Sequence, residues 1–172
     1  MDADSNAGQI ALAWNRKAMR AYELELRKFQ TVGVVIETAQ SLPAAVDGLV
    51  ATMGTERDSG IFMLTSVLEA KARWFTEEKL REVYGNRILL SNAKMKRGYL
   101  LARELGCEFW SMTVLVPSRC YYVLRLADRS GNWVPDFYLK ETETRKSINS
   151  PEMKTGVNAF IDMETAHRYT LK

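Results

Sequence analysis

The chain is poor in the residues that build metal centres and covalent scaffolds. Its 172 residues include one histidine, two cysteines and four prolines. A lone His167, close to the end of the sequence, gives no zinc ligand set. It also gives no Ser-His-Asp or Cys-His pair unless the tail folds back over a nucleophile. Cys107 and Cys120 are too few for a disulfide framework, and a three-residue hairpin loop between them would leave their sulfurs on different rungs. Both are therefore expected as free thiols. No glycine-rich phosphate loop precedes a Lys-Ser or Lys-Thr pair, and carboxylates at Glu56 and Asp58 spoil the Gly54 to Gly60 segment for that purpose. The longest apolar runs, Val32 to Ile36 and Trp110 to Val116, fall far short of a bilayer span. Met1 to Asn6 is acidic and lacks the basic start of a secretory signal. These absences point to a soluble, cytoplasmic protein that uses no cofactor and no membrane.

What is present is a chain able to build a core, with 47% hydrophobic and 26% charged residues. The net charge of +3 is small, but its distribution is uneven. Between Tyr84 and Arg103 lie Arg87, Lys94, Lys96, Arg97 and Arg103 with no acid among them, so this stretch alone outweighs the whole-chain excess.

Periodicity divides the chain into a helical front and a β-rich rear. Residues 8–30 read as a helix with a thin wet stripe of Arg16, Arg20, Glu23 and Arg27. Trp14, Tyr22, Leu26 and Phe29 spread over the rest of its surface and are candidate interface anchors. Val32 to Glu37 fits either a short strand or a continuation of that helix. Ser41-Leu42-Pro43 reads as a helix start with Gly54 as its stop, and residues 53–60 as a loop. A second helical stretch is expected over 61–84, with a second cap at Thr76, and a third from Ser91 or Asn92 to Leu105.

After Gly106 the period changes to two. Strands over 109–116 and 120–126 with a three-residue loop set Val116 opposite Cys120. A third strand over 133–140 sets Trp133 opposite Leu126, and Pro135 marks it as an edge. Residues 141–152 read as a polar loop, and 157–163 as a last strand. The expected class is α+β, a helical N-terminal portion followed by an antiparallel β-meander. Its parts are an N-terminal helical segment (1–40) and an α+β domain (41–172), forming one compact unit overall.

Metal-dependent nucleases use an Asp and a Glu converging with a Lys, as D…(D/E)-x-K across a hairpin. Near Lys140 the pattern fails, because Tyr138 stands where the acid is needed and Asp136 and Glu141 fall on opposite strand faces. Glu69-Ala70-Lys71 has the spacing but is expected on a helix. The sequence therefore favours a non-enzymatic binding protein. In one reading it contacts nucleic acid through the basic helix (87–103) and a sheet face bearing Tyr121, Arg125, Tyr138 and Lys140. The alternative is an assembly subunit that self-associates, or docks on a protein partner, through its N-terminal helix and edge strand.

Overall fold

The computed structural model describes residues 3–28, 33–38, 46–53, 62–145 and 152–172. Its elements in chain order are α1 (Ala3–Lys28), β1 (Gly33–Glu37), β2 (Gly48–Met53), β3 (Phe62–Arg73), α2 (Glu77–Glu82), β4 (Arg87–Ser91), α3 (Asn92–Glu104), β5 (Glu108–Leu115), β6 (Cys120–Ala127), β7 (Phe137–Arg145), β8 (Met153–Asp162) and β9 (His167–Thr170). The class is α+β. A six-stranded sheet runs β1-β2-β3-β5-β6-β9, and a three-stranded sheet runs β4-β8-β7.

The large sheet is mixed. β3 and β5 pair in parallel, Glu69 opposite Ser111 and Lys71 opposite Thr113, while its other neighbours are antiparallel. A parallel pair needs a long crossover, and α2, β4 and α3 supply it. α1 covers one face of the sheet, packing Ala18 and Met19 against Leu68, Ala70, Met112, Val114 and Tyr121. The other face carries Val67, Phe109, Leu115, Tyr122, Leu124 and Leu126, and is covered by α3 and the inner face of the small sheet through Met95, Ala102, Ile88 and Ile161. The central strands are thus buried on both sides.

That double burial explains the largest departure from expectation. The stretch 61–84 is not a helix: β3 occupies most of it and only the Thr76 cap starts a short helix, Thr76 accepting from the Lys79 N–H at 3.2 Å. A strand buried on both faces shows no alternation and so resembles a buried helix in sequence. For the same reason the helix expected after Pro43 is replaced over 48–53 by β2; residues 41–45 and the expected loop at 54–60 lie outside the described residues. Gly33–Glu37 resolves as a strand. α3 matches expectation, with Ser91 accepting from the Lys94 N–H at 3.3 Å and Gly106 at φ +62 just past its end. Gly98 is required there, because a Cβ would come within 2.4 Å of the Phe109 ring. Through this close approach α3 lies directly on the large sheet.

The antiparallel meander is also corrected. β5 and β6 form the expected hairpin, but Leu115, not Val116, faces Cys120. The loop has four residues, and Arg119 takes a positive φ of 47 to close it. Trp133 bridges Ala127 rather than Leu126, and the chain then leaves for the small sheet, where β7 pairs with β8. The place beside β6 is taken by β9. Residues 141–145, expected in a loop, extend β7. Cys107 and Cys120 are free and buried. No helix among the described residues is long and apolar enough to cross a membrane.

Candidate active site

With β3 a strand, Glu69, Lys71 and Arg73 project from one face, the face covered by α3, because side chains alternate along a strand. β2 and β3 are antiparallel, and Gly48 sits opposite Leu68, so Asp47 arrives beside Glu69. The Asp47 Oδ2 accepts the Ala70 N–H at 2.9 Å, and the Asp47 N–H donates to the Leu68 carbonyl at 3.0 Å. An aspartate, a glutamate and a lysine in the order D…E-x-K therefore meet on one hairpin. Glu69-Ala70-Lys71, expected on a helix, lies on a strand as the pattern requires.

α3 adds a fourth charge from its first turn. Lys94 Nζ donates to Glu69 Oε1 and lies 3.9 Å from Asp47 Oδ2, a single cation bridging two carboxylates. Glu69 is only 1% exposed, and its Oε2 is buried with no hydrogen-bond partner. Burial, and then the neighbouring Asp47 carboxylate, push the Glu69 carboxyl up to about 7 in spite of Lys94. The Lys71 ammonium is held below its ordinary range by desolvation among its neighbours, then by the charges of Arg73 and Lys94, although the residue still reaches solvent. The cluster thus opens to solvent along its two lysines.

An unsatisfied carboxylate oxygen at the centre of a fold is costly, by about 1–3 kcal/mol or more when charged. Sites that keep such groups are often functional. Among the described residues no three His, Cys, Asp or Glu side chains gather as a metal cage. Mg²⁺ does not need one, since it is commonly held by one or two carboxylates, with waters and substrate phosphates completing its shell. Asp47 and Glu69 supply two carboxylates of that kind side by side, and the Glu69 Oε2 has no hydrogen-bond partner.

No protein-family model, curated protein or solved structure matches the chain. What the site can do follows from its chemistry.

The residues first singled out for nucleic acid do not form one continuous surface. Lys94 is committed to the carboxylates just described. Lys96 and Arg97 are exposed on α3 without ion-pair partners among the described residues. Arg103 lies over the Tyr99 ring, which stacks on Trp133 at 4.7 Å. Arg125 is paired with Glu108 at 3.1 Å. Tyr121 is fully buried and stacked on Tyr169, so it is excluded as a base platform. Nor does it share a sheet face with Tyr138, because β6 and β7 belong to different sheets. Arg87 and Tyr138 do come together, the guanidinium 5.7 Å from the ring centre, with Lys140 two residues along the same strand face. Of the interface anchors, Tyr22 and Leu26 line a cavity of about 280 Å³ against Trp110, Val123 and Tyr169. Trp14 packs half-buried on the same side, and Phe29 lies outside the described residues.

Proposed function

We propose that the protein acts on nucleic acid as a divalent-metal-dependent phosphodiesterase, with Asp47 and Glu69 holding the cation and Lys71 facing the phosphate. The observation that carries this is the buried, unpartnered Glu69 Oε2 beside Asp47 on a D…E-x-K hairpin. A bound divalent cation would polarise the phosphate and activate water. In the hydrolysis, the water oxygen bonds to phosphorus, the bond to the leaving ester oxygen breaks, and that oxygen takes up a proton. Lys71 places positive charge where the phosphorane oxygens gain negative charge. Asp47 is held in place by the Ala70 N–H, so its direction does not depend on the cation. The exposed Lys96 and Arg97 supply further phosphate contact on the adjacent helix. The test is cleavage of end-labelled oligonucleotides with Mg²⁺ or Mn²⁺, comparing the protein with identically purified Asp47→Asn and Glu69→Gln. Metal-dependent cleavage lost in both variants supports the reading; cleavage that survives in both, or is absent throughout, opposes it.

A second reading, self-association, is favoured by β1 as an edge of the large sheet with Ile36 half-exposed, and by Leu24 exposed on α1. Light scattering over a concentration series tests it, and a monomer at all concentrations counts against it.

A further inference from the structure

The outer face of the small sheet forms a groove that the cluster at Glu69 does not use. Its volume is about 410 Å³, within the ~300–1,000 Å³ range of small-ligand sites. Arg73, Phe75, Tyr84, Arg87, Tyr138 and Phe160 line it. The rings occur in two pairs: Tyr138 lies parallel to Phe160 at 5.1 Å, and Phe75 meets Tyr84 at 4.8 Å. Tyr138 is 48% exposed and Tyr84 42%, so both present surface outward. Arg87 stands beside the Tyr138 ring, tethered to Asp162 at 3.5 Å, and Arg73 donates to the Leu89 carbonyl in the groove wall. The lining is thus flat aromatic surface edged by two guanidinium groups.

The groove is connected to the carboxylate cluster by a single strand. Glu69, Lys71 and Arg73 are alternate residues on one face of β3, so the Arg73 backbone lies roughly 13 Å from that of Glu69 at about 3.3 Å per residue, with the two side-chain charges near enough to act on one another. That backbone spacing sets an upper bound of about four stacked nucleotides at ~3.4 Å each. Lys71 stands between them, which makes the path from cluster to groove positively charged.

We infer that this groove holds an unpaired base of a single-stranded nucleic acid, a few nucleotides from the phosphate presented to Asp47 and Glu69. The substrate class is then a single strand or a frayed end, because a paired base cannot leave its stack to enter the groove without the cost of opening the duplex. Aromatic rings take the base face and the half-exposed Arg87 a neighbouring phosphate, a sequence-tolerant combination. The inference rests on the phosphodiesterase reading for its distance argument, but the groove is testable without any cleavage.

The experiment measures fluorescence anisotropy of labelled single-stranded DNA, single-stranded RNA and duplex DNA of one sequence. It uses the Glu69→Gln protein in chelator, so that no strand is cut. Single strands are expected to bind more tightly than the duplex, Tyr138→Ala to weaken single-strand binding by roughly tenfold, and Tyr138→Phe to retain it. Duplex affinity should not change in either variant, and a thermal melt of each excludes unfolding. Equal affinity for duplex and single strand, or a Tyr138→Ala protein that binds single strands unchanged, overturns the groove proposal. Single-strand binding through Tyr138 in a protein that cleaves nothing would refute the phosphodiesterase reading and leave the groove standing. Cleavage indifferent to Tyr138→Ala would do the reverse.

Discussion

Glu69 and Glu77 follow each other closely in the chain, and the fold treats them in opposite ways. Glu77, at the first turn of α2, receives Arg168 through two bonds of 2.7 and 2.8 Å and the Tyr122 hydroxyl besides. The Arg168 bonds, helped by Tyr122 and Arg81, outweigh its partial burial and hold its carboxyl down at about 2. Glu69 is more deeply buried, faces a second carboxylate, receives one lysine and keeps an oxygen without a donor. Its carboxyl is pushed up to about 7 by burial and by Asp47. The first arrangement fastens the C-terminal strand β9 to α2, with every acceptor met by fixed protein donors. The second leaves a carboxylate pair that one lysine only partly satisfies. The unpartnered oxygen costs stability, and on the proposed reading that cost is offset when a divalent cation binds.

Four outcomes break or sharpen this contrast. The largest concerns chemistry: Glu69→Gln should lower metal-dependent cleavage by about 100-fold or more, the scale of losing one preorganised electrostatic contact. The same variant should melt higher at pH 8 in chelator, by roughly 2–4 °C for each kcal/mol of relieved charge burial. Glu77→Gln should show the mirror image. Melting should fall by an amount equivalent to about 1 kcal/mol, discounted because Arg168 is partly solvated, while cleavage by the folded protein stays unchanged. If Glu77→Gln abolished cleavage without loss of stability, the contrast would be wrong.

The third outcome is the pH dependence of melting without metal, and its two limbs have different owners. Glu77 has a folded pKa of about 2 against an ordinary 4.5, so its stabilisation is complete above about 4.5 and is lost as pH falls towards 2. Glu69 has a folded pKa of about 7, so the folded state holds its proton longer than the unfolded chain. Stability from this group therefore falls as pH rises from about 4.5 to 7 and levels off above. Differential scanning calorimetry across pH 3 to 8 should show Glu69→Gln flattening the upper limb and Glu77→Gln the lower. The smallest effect is expected from Lys96→Glu with Arg97→Glu. Melting should not move, oligonucleotide binding should weaken, and the slope of log affinity against log salt should drop by about 1.4, or ~0.7 for each phosphate contact on a single strand. An unchanged slope would remove this part of α3 from the contact surface.

The sequence carried much of this but not its assembly. Ser91, Gly106 and Thr76 mark helix ends because capping chemistry is local, and α2 and α3 start and stop where these residues indicate. The β5–β6 hairpin was legible from its alternation, but the register slipped by one because nothing in Pro117-Ser118-Arg119 announces that Arg119 takes a left-handed conformation. β2 and β3 were not legible, since strands covered on both faces lose the period that distinguishes them from helices. The E-x-K spacing at Glu69 and Lys71 was visible throughout; its meaning depended on a strand and on Asp47, more than twenty residues earlier, arriving beside it. Tyr121 failed as a binding candidate because a residue facing a sheet surface can equally face a helix, and α1 covers that surface.

The most direct measurement is a calorimetric titration of the protein with Mn²⁺ in the absence of nucleic acid, at pH 6 and pH 8, beside the same titration of Glu69→Gln. One ion per chain is expected, bound more tightly at pH 8 than at pH 6 because the Glu69 carboxyl must lose its proton to accept it, and not bound by the variant. Absence of Mn²⁺ uptake by the unaltered protein, or equal uptake by Glu69→Gln, would contradict the assignment of Asp47 and Glu69 as a divalent-cation site.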